Sequence, residues 1–382
     1  MLRIRFIFIL MGISLVATAS GWCQRQKPLR TARLPTLISA LRFNKPPAFC
    51  GETVPIDIND VRERMDKELL LALWDRPQVI LWLKRANRYM PIITHALKEN
   101  QMPDDLKYIP VIESALRPHA GSVKGAMGFW QFMPATGRKY GLTINSALDE
   151  RRSIFASTRA AMKYLKALYA QFGSWNLAAA AFNMGEQCLR TAILTQKTDN
   201  YFKLYLSLET QRYLFKILAA KLILSDPPRF RFYLKKSDYY PPLNFDRVEI
   251  KCDSETPVSV IAEAAKTYFK VIKDLNPAIR GHDLAKGHYQ LLIPKGEAQG
   301  FFERLKPLLA QSRQKAQEHI YVVRPGDNLA AIAKRFNLPL PVLFIWNRLD
   351  LNKPIHPGDK LVIYSQNKTE DRTSNENKTL DN

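Results

Sequence analysis

Cysteine is scarce in this chain, with four residues among 382. Cys23, Cys50, Cys188 and Cys252 lie far apart, with no Cys-x-x-Cys pair and no histidine at ligand spacing. That excludes a zinc finger or ribbon, whose ligands come in close pairs. Histidine is also scarce, at six residues, and His119 has no second His or Cys near it. No metal or cofactor is expected. Acidic residues are in short supply too: 35 against 57 Lys and Arg leave a net charge of +22. The basic residues run along the whole chain, which favours a polyanionic partner surface. No nucleic-acid module signature accompanies them, so no nucleic acid is expected. Past Val16 no apolar run is long enough for a membrane-spanning helix.

What is present divides the chain, whose length suits two or three domains. Residues 1–19 read as a secretory signal: Arg3 and Arg5, an apolar stretch from Phe6 to Val16, then the small-x-small site Ala17-Thr18-Ala19. Export permits disulfides but does not choose a pairing, and Cys188, at the end of an apolar helical run, is expected to be a buried thiol. Residues 20–55, rich in Pro and Arg, read as an extended arm. From Val61 the pattern turns helical, with Leu69, Leu70, Leu73 and Trp74 at three- and four-residue spacing. Further helices are expected over Arg88 to Glu99, from Asp104 (with Asp104 or Asp105 as cap), over Ser153 to Phe172, from Ser174 through Ala178 to Ala181, and over Glu209 to Leu224. Residues 56–240 therefore form an all-α globule.

The C-terminal third repeats itself. Ile261 and Ile332, Asn276 and Asn347, and Gly287 and Gly358 each stand 71 positions apart. Three anchors at one offset argue for two copies of a βααβ module, at 245–296 and 319–365. A charged helical connector over 297–318 joins them, and the polar run 366–382 reads as a disordered tail.

The chemistry concentrates at Glu113. Its neighbours Ile109, Pro110, Val111 and Ile112 are apolar, and a loop of Gly and small residues follows. Burial among such neighbours raises a carboxyl pKa and keeps the group protonated near neutrality, as a general acid requires. The spacing Glu113-Ser114, Pro118, Ala120, Ser122, Gly125-Ala126, Gly128, Gln131, Pro134 resembles the signature of the soluble lytic transglycosylase family, relatives of goose-type lysozyme. Ala180-Ala181-Phe182-Asn183-Met184-Gly185 and Glu209-Thr210-Gln211-Arg212-Tyr213 resemble two further motifs of that family. Tyr89-Met90-Pro91-Ile92 through Leu106-Lys107-Tyr108-Ile109-Pro110, and Thr136 to Leu142, look like the membrane-bound lytic murein transglycosylase D subgroup. The chain departs from the pattern at Leu116, at Arg117 and at Phe182, which stands where the family carries tyrosine. Residues 320–364, with Gly326, Asp327, Asn328 and Leu329, resemble LysM, a module that binds N-acetylglucosamine polymers. The first copy is degenerate, with Glu255-Thr256 at the offset of Gly326-Asp327.

The resemblance implies a mainly α, lysozyme-like catalytic domain followed by α+β modules of LysM type. It implies cleavage of peptidoglycan between N-acetylmuramic acid and N-acetylglucosamine, with Glu113 as acid and then base and a 1,6-anhydro ring in the product. Tyr213 would orient Glu113 or steady developing charge; Ser122 would hydrogen-bond the reacting sugar or the catalytic carboxyl; Gln131 and Asn183 would donate to sugar hydroxyls and acetamido groups, and Met127 and Phe182 would contact sugar. Gly125 and Gly128 would let backbone approach the saccharide. No second carboxylate falls at a motif position, Glu209 reading as a helix-start residue and Glu186 as solvent-facing. Two alternatives stay open: a lysozyme-like hydrolase, and a wall-binding scaffold whose catalytic domain has decayed. The LysM resemblance implies glycan contact by Gly326, Asp327, Asn328 and Leu329; Asn183 has a second reading as a helix C-cap, and Asp327 one as a shaper of the strand-to-helix turn and cap of the helix. The implied partner is the glycan strand and the implied location the periplasm. Peripheral or lipid-anchored association with the outer membrane through Cys23 is a further option, against which the bulky Trp22 stands.

Overall fold

The computed structural model describes residues 37–318, 320–347, 349–350 and 353–364, without the side chains of 315–318. The expected signal segment, Cys23, the first part of the arm and the polar tail lie outside them. A short N-terminal unit ends at Arg42 and contains helix α1 (Leu37–Ala40). Everything from Phe43 on forms a second unit.

That unit opens with a hairpin, β1 (Ala48–Phe49) against β2 (Glu52–Thr53). Here the expectation of an extended arm is corrected. Phe49 and Val54 are fully buried, the Cys50 N–H donates to Asp105 at 2.7 Å, and Glu52 caps the Trp175 end of a later helix. Composition hid this because the anchoring contacts are made with segments more than fifty residues away.

Helices α2 (Asn59–Trp74), α3 (Arg76–Glu99), α4 (Ile109–Ser114), α5 (Pro134–Lys139), α6 (Ile154–Phe172), α7 (Trp175–Met184), α8 (Glu186–Gln196) and α9 (Leu208–Ser225) complete the α globule. Their ends follow capping chemistry. Ser153, Ser174 and Ser207 each accept a backbone N–H in the first turn of α6, α7 and α9, and Gly173 closes α6 in the left-handed region. Asp104 and Asp105 do not cap. The segment Asp104–Tyr108 is a 3-10 turn behind Pro103, where Asp104 pairs with Lys107 while Asp105 takes Lys221 at 2.7 Å. The alanine run of α7, Ala178 to Ala181, is buried and lets α7 sit closely against α6 and α9. Cys188 is exposed, against expectation, because α8 buries only Leu189. Cys50 and Cys252 are likewise free thiols.

The C-terminal part holds the two βααβ copies. In the first, β3 (Phe245–Cys252) leads through β4 (Thr256–Pro257) to α10 (Val258–Ala264) and α11 (Phe269–Leu275), then β5 (Asp283–Leu284) and β6 (Gly287–Pro294). Strands β3 and β6 pair antiparallel over their full lengths, from Phe245 with Pro294 to Cys252 with Gly287. The connector is α12 (Phe301–Glu318), and it is more than a spacer: Phe301 and Leu305 are buried in the first module's core. In the second copy β7 (Ile320–Val322), α13 (Leu329–Arg335), α14 (Leu340–Asn347) and β8 (Lys360–Val362) enclose a smaller core of Val323, Ile332, Leu343 and Leu361.

The repeated asparagine has the same task in both copies. Asn276 donates to Ile272 and Leu292 carbonyls at 2.8 and 2.7 Å and accepts the Leu292 N–H at 2.8 Å. Asn347 does the same with Leu343 and Val362. Each joins the second helix to the last strand, satisfying backbone groups the module would otherwise leave unpaired. Among the described residues no single helix is long and apolar enough to cross a membrane.

Candidate active site

Glu113 stands in the last turn of α4. The helix ends abruptly because Ala115 and Leu116 both adopt positive φ, 52° and 56°, which costs non-glycine residues energy and is held by surrounding contacts. Those contacts are specific. The Ser114 hydroxyl lies 3.0 Å from the Pro110 carbonyl and 2.8 Å from that of Phe129, and Arg85 donates to the Ala115 carbonyl at 3.1 Å. The turn fixes the direction of the Glu113 side chain and pins it to the loop that follows.

Facing it from α9 is Tyr213, whose hydroxyl donates to the Glu113 carboxyl at 2.5 Å. Glu113 keeps some exposure, yet its surroundings are densely packed. Its pKa is raised to about 7: loss of water is the largest cause, the Tyr213 bond and the Lys216 charge oppose it, and the Glu209 charge adds to it. Burial also pushes the Tyr213 phenol well above its ordinary value, with the Glu113 charge adding to it, so Tyr213 stays a donor.

The glycine-rich loop is a compact knot. Met127 forms isolated bridges with Gly121 and Phe132. Ser122 is exposed; its Oγ accepts the Ala126 N–H at 3.1 Å and makes no bond to Glu113. Gln131 donates from Nε2 to the carbonyls of Ala120 and Gly128 at 2.9 and 2.8 Å. Both amide protons are thereby engaged, which corrects its expected part as a donor to sugar; what it can offer a ligand is the acceptor Oε1. Gly128, at φ 81°, is also corrected. A Cβ there would meet the Arg151 carbonyl oxygen at 1.8 Å, so the close approach the glycine permits is to protein backbone. Gly125, at φ 89°, has open space above it.

Phe182 joins an aromatic cluster, with ring centroids 6.3 Å from Trp130, 6.1 Å from Phe132 and 5.4 Å from Tyr164. Asn183 does not cap α7, which ends at Gly185. It accepts from the Thr210 hydroxyl at 2.8 Å and donates to Glu209 at 3.3 Å, tying α7 to the start of α9. Glu209 reads in the sequence as a helix-start residue. It does lie in the first turn of α9, and its charge also reaches Glu113. Glu186 pairs with Lys139 at 3.1 Å. Also unforeseen is Arg151, which with Asp149 forms a buried ion pair beneath the loop; an Asp-x-Arg in a single 3-10 turn carries no periodic signal.

In the second module Gly326 turns at φ 85°. The Asp327 carboxylate accepts from the Tyr321 hydroxyl at 2.6 Å and the Arg324 N–H at 2.8 Å, with Arg335 at 3.6 Å. Its bonds are internal and shape the turn, while the helix cap is Asn328, which accepts the Ala331 N–H at 2.8 Å. Leu329 packs against the module core. Among the described residues no cluster of His, Cys, Asp or Glu could hold a metal.

A model of the transglycosylase SLT domain matches residues 90–205, ending before Tyr213, and a LysM model matches residues 321–363. Membrane-bound lytic murein transglycosylase D of Escherichia coli K12 is 32% identical over 333 residues, covering 83% of this chain and 72% of the relative. A putative tributyltin chloride resistance protein of Alteromonas sp. strain M-1 is 36% identical over 117 residues, 30% of this chain and 56% of that one. Among solved structures, the 70 kDa soluble lytic transglycosylase SLT70 of Escherichia coli aligns at 19% identity and TM-score 0.33, over 46% of this chain and 32% of that chain.

The raised Glu113 pKa has a consequence for stability. Since the folded-state value lies above the unfolded one, the unfolded chain gives up the proton first, and stability falls as pH rises from the unfolded value to about 7. Glu113→Gln removes that penalty. Its melting temperature is expected to exceed wild type at pH 8, with the gap closing toward pH 4.5; thermal melts across that range provide the check.

Proposed function

The chain belongs to the lytic murein transglycosylase D family, and from that membership and the Glu113–Tyr213 pair we propose that it cleaves peptidoglycan with Glu113 as acid and then base. Glu113, half protonated at pH about 7, gives its proton to the glycosidic oxygen as the bond from C1 of N-acetylmuramic acid breaks. The substrate's own N-acetyl carbonyl holds the positive centre. The carboxylate left on Glu113 then takes the proton of the C6 hydroxyl, whose oxygen closes onto C1 as a 1,6-anhydro ring. No water enters, so the reaction is that of a lyase. Tyr213 keeps the carboxyl oriented and steadies its anion between the two transfers, an effect worth roughly 3 kcal/mol for a well-placed donor.

The observation that carries this reading is the bond from Tyr213 to a carboxyl whose pKa is raised to about 7 by burial. It speaks against the decayed scaffold, since the pair is intact and Phe182 keeps its place in the aromatic cluster. Around Glu113 the exposed Ser122, the Oε1 of Gln131, Met127, Phe182 and Asn183 are the groups we assign to sugar contact. One observation favours a hydrolase: Glu209 is a carboxylate whose charge reaches Glu113, and a second carboxylate is what activates water in ordinary glycosidases. The products decide between them. Mass spectrometry of digested peptidoglycan is expected to show 1,6-anhydro ends; reducing ends alone would establish the hydrolase.

The division of labour we propose gives catalysis to the α globule together with residues 43–55, and wall attachment to the second βααβ module over 320–364. The cell envelope is the compartment that fits a murein-cleaving family; periplasmic export by residues 1–19 is the finer part of the proposal, with anchoring through Cys23 as the alternative that Trp22 opposes. Deleting residues 320–364 is expected to weaken sedimentation with insoluble peptidoglycan at least severalfold while sparing cleavage of short soluble glycans. Equal sedimentation of both forms would refute the tether.

A further inference from the structure

We propose that the first βααβ module is a positioning part of the catalytic unit, which docks beneath the glycine-rich loop and holds it in register with Glu113. The proposal rests on the reading of Glu113 given above. The docking is made by backbone. The Asp149 N–H donates to the Ala278 carbonyl at 2.8 Å, the Arg280 N–H to the Ala147 carbonyl at 2.9 Å, and Leu148 and Ile279 form the bridge between them. The Arg280 guanidinium adds a bond to the Asn145 carbonyl at 3.2 Å. Side chains seal the contact. Leu148 packs on the module's core, and Phe155 meets Phe245 edge-on at 5.6 Å, with Arg247 over its ring at 4.7 Å.

From there a chain of bonds leads to the loop. Asp149, 2% exposed, binds Arg151 through both carboxylate oxygens, each at 2.8 Å. Nη1 of Arg151 donates to the carbonyls of Gly125 and Phe132, at 2.8 and 3.1 Å. These two carbonyls flank the stretch that contains Met127, Gly128 and Gln131, and the Gly128 backbone rests on the Arg151 carbonyl. A buried charge pair whose Nη1 donors are both engaged by loop carbonyls fixes register in this way, because any shift leaves buried charge unpaired. Fixing Asp149 therefore fixes the loop.

The repeat explains how a module of this kind came to be available. Its turn after α11, residues 277–280, is occupied by the catalytic unit, and on the strand-to-helix side Glu255-Thr256 replaces Gly326-Asp327. The first copy keeps the asparagine that holds the module together and gives its loop to docking.

The test uses the full chain with Leu148→Glu, which puts a charge into the seam, and Arg280→Pro, which removes one docking N–H at an exposed residue. Thermal melts show that each variant folds. Hydrogen exchange of residues 121–133, kcat and KM on soluble glycan oligomers, and sedimentation with insoluble peptidoglycan are then compared with wild type. The expected result is faster exchange across 121–133, a fall in kcat of roughly ten- to a hundredfold, and unchanged sedimentation. Unchanged exchange and kcat in both variants would overturn the proposal. So would lost sedimentation with kcat intact, which would make the module a glycan binder. A wild type without lytic activity would refute the Glu113 reading, while the exchange measurement would still decide the docking.

Discussion

The hydrogen bond that Tyr213 donates to Glu113, between residues a hundred positions apart, is what the architecture around the site is built to maintain. Each partner needs a separate piece of the fold. Glu113 needs α4 to stop one residue later, which takes two consecutive left-handed residues and a serine bonded both backward along the helix and forward to the loop. Tyr213 needs α9 held at the correct height, and the Thr210–Asn183 bond supplies that from α7. In the proposed mechanism burial then does the chemical work. Without it the carboxyl would be fully ionised at neutral pH and unable to donate; with it alone, and no Tyr213, the anion formed midway would have no donor to receive it.

How much of this the sequence disclosed depends on the kind of constraint. Glu113 with apolar residues before it and glycines after it was legible because desolvation and tight turns demand particular residue types. Helices α2, α6, α7 and α9 and the second half of α3 were legible from the sequence pattern, while α5 and α8 were not, and the two modules were legible from one repeated offset whose asparagine proves to bridge helix and strand. The misses share a cause. Phe49 anchors a segment whose composition looks like an arm; Cys188 lies on the outward side of a helix that buries a single residue; Gln131 turns its amide inward to backbone carbonyls. For Phe49 and Gln131 the partner lies elsewhere in the chain or on the backbone, and for Cys188 the rest of the fold leaves its side of α8 uncovered, none of which a spacing rule reaches.

The same distinction separates the two modules. Both keep the internal asparagine, because the module cannot close without it. They differ at the turns, where Gly326 and Asp327 shape one entry to a helix while Glu255-Thr256 stands at the other, and where the first copy's turn lies against Ala147 to Asp149. A net charge of +22 spread along the chain suits all parts of a protein that works on an anionic polymer, and it identifies none of them.

The central claim is that one carboxyl, tuned by burial and by Tyr213, is first the acid and then the base. The pH dependence of kcat/KM for wild type and Tyr213→Phe on soluble glycan tests it most directly. Because the Tyr213 bond lowers the Glu113 pKa against the larger effect of burial, the alkaline limb should lie at about pH 7 in wild type and move upward in the variant, with a lower maximum. An alkaline limb in the same place in both proteins, or none near neutrality in wild type, would contradict the account.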